Sequence, residues 1–282
     1  MTTIATSSPF PHQLALDATK VYWTWNGGLS WAKKDGSGSA VLSTGGIGVG
    51  VALDAQYAYW GSHSSAGQGD LLRVPLQGGT TVPIASPGYV GDIVLDSTTA
   101  YFGFDTSPAP ISKVALTGGQ VDPITPVQNG TVIDLVADGT NFYWVVNTIA
   151  GAVRKMPMTG GAIVDLATNL TPVRMAIDAT DAFVIRRDVN SYALDRLSLS
   201  GGPATPMATG ELWDVAVDGK YVYFAQNILS KASLRRMPKQ GGPVEVLYTQ
   251  TNNSSIYQLV VDDTSIYYIN QTPPEIRKLT PK

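Results

Sequence analysis

Seven times along this chain a short apolar run ends in an aspartate, and an aromatic residue follows five positions later. The aspartates are Asp17, Asp54, Asp96, Asp138, Asp178, Asp218 and Asp262, spaced 37, 42, 42, 40, 40 and 44 residues apart. The aromatics are Tyr22, Tyr59, Tyr101, Tyr143, Phe183, Tyr223 and Tyr267. A basic residue comes next in each unit: Lys33, Arg73, Lys113, Lys155, Arg196, Arg236 and Lys278. Glycine pairs close five units, at 78–79, 118–119, 160–161, 201–202 and 241–242. A period of about 40 residues restricts the chain to architectures in which each unit buries its faces against neighbours.

Each unit reads as four short strands. The run before the aspartate (Leu14-Ala15-Leu16, Ile93-Val94-Leu95) is continuously apolar, as a strand covered on both faces requires. Aspartate then starts a tight turn, because its carboxylate accepts backbone N–H groups two residues on. The second strand is aromatic and β-branched (Phe142-Tyr143-Trp144-Val145-Val146), which suits a packed pleated surface. The glycine pair supplies a turn with positive φ. The fourth strand carries Pro83, Pro123 or Pro206 and so belongs at an edge, since proline has no donor for a ladder. Nothing reads as a long amphipathic helix.

Four-stranded units of this length are blades of a β-propeller. The expectation is therefore an all-β, seven-bladed β-propeller forming one domain over residues 1–282. The last unit has no fourth strand after its third, whereas Thr2-Thr3-Ile4-Ala5-Thr6 is a spare strand at the start. Residues 1–8 are expected to pair as the outer strand of the last blade and close the ring.

Val21-Tyr22-Trp23-Thr24, with Tyr59-Trp60-Gly61 and Tyr143-Trp144-Val145 in register, resembles the YWTD-type repeat of propeller proteins. The fuller unit is similar to repeats of bacterial secreted propellers of unknown function, and more broadly to the NHL-type and virginiamycin B lyase-like superfamily. The resemblance covers essentially the whole chain. It implies the propeller fold, and for lyase-type members a site with His and Glu on one face. This chain offers His12 and His63, with Glu211, Glu245 and Glu275, in no single motif.

Composition removes other classes. The chain has no cysteine, so disulfides, thiolate zinc, iron–sulfur clusters and a cysteine nucleophile are excluded. A net charge of -3 argues against nucleic acid as a partner. No apolar run is long enough to span a membrane. The start shows no signal peptide, and the Thr-, Ser-, Asn- and Gly-rich composition points to a secreted or periplasmic protein, with the cytoplasm as the alternative. A monomer is expected.

Antiparallel inner and second strands put the aspartate and Gly-Gly turns on one face and the variable connections on the other. The uniform turns read as structural. On the variable face two sets of positions recur. Four residues before each aspartate stand Gln13, Gly50, Asp92, Asp134, Arg174, Asp214 and Gln258. Nine residues after it stand Asn26, His63, Asp105, Asn147, Arg187, Asn227 and Gln271. A polar ring at a channel mouth suits a small polar ligand, and wet strand ends are polar without any ligand. Unit five concentrates Arg174, Arg186 and Arg187. Guanidinium groups take carboxylates or phosphates, or here neutralise Asp134 and Asp214. Asp92, Asp134 and Asp214 are also the candidates for a hard cation such as Ca²⁺, the only cofactor the sequence raises. His12 and His63, with Asp70 to orient one of them, are the candidate acid–base set. Trp25 and Trp213, with Phe104, Tyr89 and Tyr257, are the aromatics that would stack on a sugar.

Three functions compete on this reading. The first is a binding propeller holding a small polar, sugar-like or anionic ligand, a glycan or a peptide at the channel mouth. The second is an enzyme of lyase or hydrolase type working at the same place. The third is a protein-interaction scaffold.

Overall fold

A computed structural model describes residues 1–6, 10–64, 68–104, 106–228 and 231–282, with Ile228 described in its backbone alone. The described residues contain strands and turns and no helix. Repeat one shows the plan. Its strands Pro11–Leu16, Lys20–Trp25, Gly28–Lys33 and Ser39–Thr44 form one antiparallel meander in chain order. Repeats two, three and four do the same. In repeat three the outer strand shrinks to Asp122–Pro123. The proline is at the sheet edge, as its missing donor demands.

In the last repeat Ile256–Val261, Ile266–Asn270 and Glu275–Leu279 are joined by Thr2–Thr6 from the other end of the chain. Thr2–Thr6 pairs antiparallel with Glu275–Leu279 and buries Ile4 and Ala5. The N-terminal strand thus completes the last blade and closes the propeller. Of the expected closing segment 1–8, residues 7 and 8 lie outside the described residues.

The sequence leads one to expect seven separate sheets, and the structure differs. Five sheets have four strands each, and one sheet has seven. The cause is a single 13-residue strand, Thr205–Val217. Its first half pairs with Tyr192–Ser198 of repeat five. Its second half pairs with Tyr221–Ile228 of repeat six. The chain passes from outer to inner strand without a break, through Gly210 at φ 140°.

The core lies between repeats. Seven clusters of buried apolar side chains occur among the described residues, each drawn from two successive repeats. Phe102 of repeat three packs with Tyr59 of repeat two; Trp144 of repeat four packs with Tyr101 of repeat three. Trp23 of repeat one packs with Tyr267 and Ile4 of the last blade, so the series returns to its start. Each blade is sandwiched between neighbours, which is why its inner and second strands are apolar on both faces.

The aspartate turns are structural, as expected. Asp138 Oδ1 accepts N–H bonds from Thr140 and Asn141, both at 2.7 Å, and Oδ2 accepts the Tyr143 hydroxyl at 2.8 Å. The same aspartate–tyrosine bond recurs in every repeat except the fifth. There Phe183 has no hydroxyl, and Lys239 of the next repeat donates to Asp178 Oδ2 instead. Burial alone would raise the pKa of these carboxyls. Backbone and hydroxyl bonds, joined by lysines at Asp178, Asp218 and Asp262, outweigh it and hold Asp17, Asp96, Asp138, Asp178, Asp218 and Asp262 below the usual range.

The basic residue of the third strand faces the aromatic of the second and reaches the next repeat. Arg73 donates to the Leu116 carbonyl at 2.7 Å, Lys155 to Leu199 at 2.6 Å, and Arg236 to Lys282 at 2.6 Å. Repeat one differs. Trp31, not Lys33, stands opposite Tyr22, and Lys33 pairs with Lys20. Lys20 Nζ lies 4.2 Å from the centre of the Trp31 ring.

Candidate functional site

In every repeat the inner and second strands slip out of register near the variable face. The position four before the aspartate falls within or at the end of that irregularity. A bulge re-aims a side chain, and here it turns the ring residues toward the channel. Asp134 and Gln258 take φ of 49° and 48° there, in the left-handed region.

The ring side chains first serve the ring itself. Gln13 Oε1 accepts the Val51 N–H of the next repeat at 2.6 Å. Asp92 Oδ2 accepts the Leu135 N–H at 3.3 Å. Asp134 Oδ2 accepts the Met175 N–H, and Asp214 Oδ2 the Leu259 N–H. Each acceptor lies one repeat before its donor, and each donor stands three residues before its own aspartate. These bonds latch successive inner strands together. Gly50 has no side chain to offer, and Gln13 reaches past it to donate from Nε2 to Asp92 Oδ1.

Arg174 lies among the carboxylates, with Nε 3.6 Å from Asp214 Oδ1 and one terminal nitrogen donating to the Val173 carbonyl. Burial raises the pKa of Asp92 and Asp214, even against the attraction of Arg174. Asp134 is pushed up to about 8 by burial, with the neighbouring Asp92 and Asp214 charges adding to it and Arg174 opposing. For Arg174 burial acts downward, and the three carboxylates together outweigh it and raise its pKa. Three carboxylates and one guanidinium sum to −2 when all are ionised, and to −1 while Asp134 keeps its proton.

A cavity of about 180 Å³ opens here, lined by Gln13, Asp92, Asp134, Arg174 and Gln258 with His12 at its edge. The remaining expectations scatter. Arg186 donates to Asp195 and lies 3.4 Å from Asp188. Arg187 is exposed and sits 6.0 Å from the Tyr192 ring centre. The structure therefore gives Arg174, Arg186 and Arg187 separate partners instead of one cluster. The paired guanidiniums are occupied by their own carboxylates. Asp92, Asp134 and Asp214 share the channel, but no group of three His, Cys, Asp or Glu residues suited to a metal occurs among the described residues.

His12 Nε2–H donates to Asn26 Oδ1 at 2.6 Å. The rings of His63 and Tyr89 touch at a tilt of 47°, with centres 4.4 Å apart. Asp70 accepts from the Ser86 hydroxyl and orients neither histidine. Asn147 ends its second strand and Asn227 stands one residue before the end of its own, paired with Thr131 and Glu211. Asp105 lies outside the described residues. Trp213 makes an edge contact with Tyr257 at 5.1 Å beside the ring. Trp25 does not line the channel cavity; it borders a separate one. The sequence reading placed Gln13 and Gln258 in the ring at the channel mouth but missed the ring's latching role. Their shared offset from the aspartate was the signal.

No known family profile matches the sequence, and no curated protein matches it. Solved structures do match in fold. A catalytically inactive virginiamycin B lyase from Staphylococcus aureus, with quinupristin, is 13% identical; the match covers 99% of this chain and 97% of that one at a TM-score of 0.76. The nidogen/laminin complex is 17% identical, covering 85% and 96%, at 0.61. The extracellular domain of a one-component system from B. thetaiotaomicron is 14% identical, covering 96% and 38%, at 0.69. The likenesses span a lyase and binding proteins, and at these identities they establish that this chain shares the β-propeller fold.

Proposed function

We propose that the seven repeats form one ring of seven blades, two of them sharing the strand Thr205–Val217, and that the channel mouth of this ring binds a small polar ligand. The observation that carries the reading is the convergence of Gln13, Asp92, Asp134, Arg174 and Gln258 on one cavity. Rigid scaffolds with polar groups converging on a concavity are the usual form of a ligand site. Its volume of about 180 Å³ equals that of roughly six waters, so it takes a small molecule or the terminal group of a larger one. Carboxylates outnumber the guanidinium, which favours ligands rich in donors, neutral or positively charged, over anions.

The test is a thermal-shift screen against sugars, amines, organic acids and divalent metals with a chelator control. Binding to the folded state alone must raise Tm by mass action. The expected result is a shift that Asp134→Asn or Arg174→Gln abolishes. A ligand that shifts both variants as much as the wild type, or a screen without any shift, would overturn the proposal. The second outcome would favour the scaffold function.

A further inference from the structure

The seam where the ring closes carries a second cavity, of about 250 Å³, that shares no lining residue with the channel. It lies between the closing strand Thr2–Thr6 and repeat one. Its floor is the indole of Trp23 and the hydroxyl of Ser30, residues only 3% and 6% exposed. These two are cross-strand partners in adjacent strands, so their positions are tied by the ladder. Trp25, two residues after Trp23 on the same strand, forms a wall. Its ring lies over Gly27, where a Cβ would sit 2.0 Å from the indole, so any side chain there would displace the ring. The rim is exposed: Thr6 from the closing strand, Ser39 and Val41 from the outer strand of repeat one.

The chemistry of this lining is narrow. Among the described residues no charged side chain borders the cavity. A charged guest would lose its hydration and find no counter-charge. The Trp25 indole offers flat apolar surface to a ring, above the edge of Trp23 at the floor. Three hydroxyls, from Thr6, Ser30 and Ser39, offer donors and acceptors that a purely apolar ring would leave unmatched. A neutral ring with apolar C–H faces and a hydroxylated edge meets both demands. We propose that this seam binds a neutral monosaccharide unit, independently of any ligand in the channel.

The test uses the intact protein and its own fluorescence. Of the six tryptophans, Trp60 and Trp144 are sealed in the interior, Trp31 packs toward repeat two and Trp213 sits at the channel face, so a guest in the seam perturbs Trp23 and Trp25. Methyl glycosides of glucose, galactose, mannose and N-acetylglucosamine are titrated while emission is followed. The expected result is a saturable shift with at least one glycoside. Trp25→Ala should weaken binding about tenfold. Because that variant loses packing as well, Val41→Arg is the second probe. Val41 is 55% exposed, so the substitution leaves the fold intact and fills the rim. It should abolish the shift, whereas Val127→Arg, at another exposed site, should not. A flat titration with every glycoside, or a shift that survives Val41→Arg, would overturn the proposal.

Discussion

Gly50 is where one added methyl group should do most damage. It occupies the ring position of repeat two, and an added Cβ would lie 1.9 Å from the Gly91 carbonyl oxygen, 2.9 Å from its carbon and 3.4 Å from the Asp92 Cα. All three are backbone atoms of the next repeat, so no side-chain rotation relieves the clash. Ordinary contact begins near 3.4 Å, so the two inner strands must part by more than an ångström. Movement of that size also pulls Asp92 away from Gln13 Nε2, now bonded at 2.5 Å. Overpacking a close-packed interface costs about 1–3 kcal/mol. For a chain of this size that is a fall in Tm of roughly 3–10 °C. Gly219→Ala is the control, because its Cβ would meet nothing within 4 Å and its φ is ordinary. That change should be neutral or stabilise by up to about 1 kcal/mol through the unfolded state. Urea midpoints and thermal scans of both variants measure the difference. Equal stability of Gly50→Ala and Gly219→Ala would refute the claim that the inner strands are in hard contact here.

Three further outcomes follow from the same geometry. Asp134 has a pKa of about 8 when folded against 3.8 unfolded, so the folded state holds the extra proton between those values. Its contribution to stability is lost as pH rises through that window; Asp134→Asn should flatten the fall in urea midpoint from pH 4 to 8. The turn aspartates act oppositely: their depressed values give stability above about pH 4 that is lost on acidification, so acid unfolding should persist in that variant. Tyr143→Phe removes a hydroxyl bonded to a carboxylate and should cost about 1.5–3 kcal/mol in denaturant unfolding, whereas Phe183→Tyr should stabilise by up to about 1.5 kcal/mol, because Asp218 Oδ2 and Asp262 Oδ2 each accept a lysine and a tyrosine together, as Asp178 Oδ2 then would. Ile4→Ala, which empties a buried site in the closing strand, should cost about 2–4 kcal/mol in the same assay.

The repeat made much of this legible. Asp138 and Tyr143 are five residues apart, so their turn and their hydroxyl bond are local and recur wherever the pair recurs. The Gly-Gly turns are local too, and all five pairs have positive φ. The spare strand at the start followed from counting strands. What sequence could not show was which residues face one another across repeats. Trp31 and Lys33 are two apart on one strand, and register alone decides that Trp31 opposes Tyr22. The arginines of repeat five looked like one cluster because they are near in sequence and register. Arg186 lies beside Asp195 on its own sheet, while Arg174 belongs to the channel.

The sequence by itself determined the local half of this protein: the turn chemistry and the repeat of short strands. These depend on residues within a few positions of one another, where backbone sterics and side-chain reach leave few options. The tertiary structure alone decided the site. Asp92, Asp134, Arg174 and Asp214 are some 40 residues apart in sequence, and only closure of the ring brings them into one low-dielectric channel. There burial and mutual repulsion set their charges, and each carboxylate is committed to a neighbour's backbone before it meets any ligand.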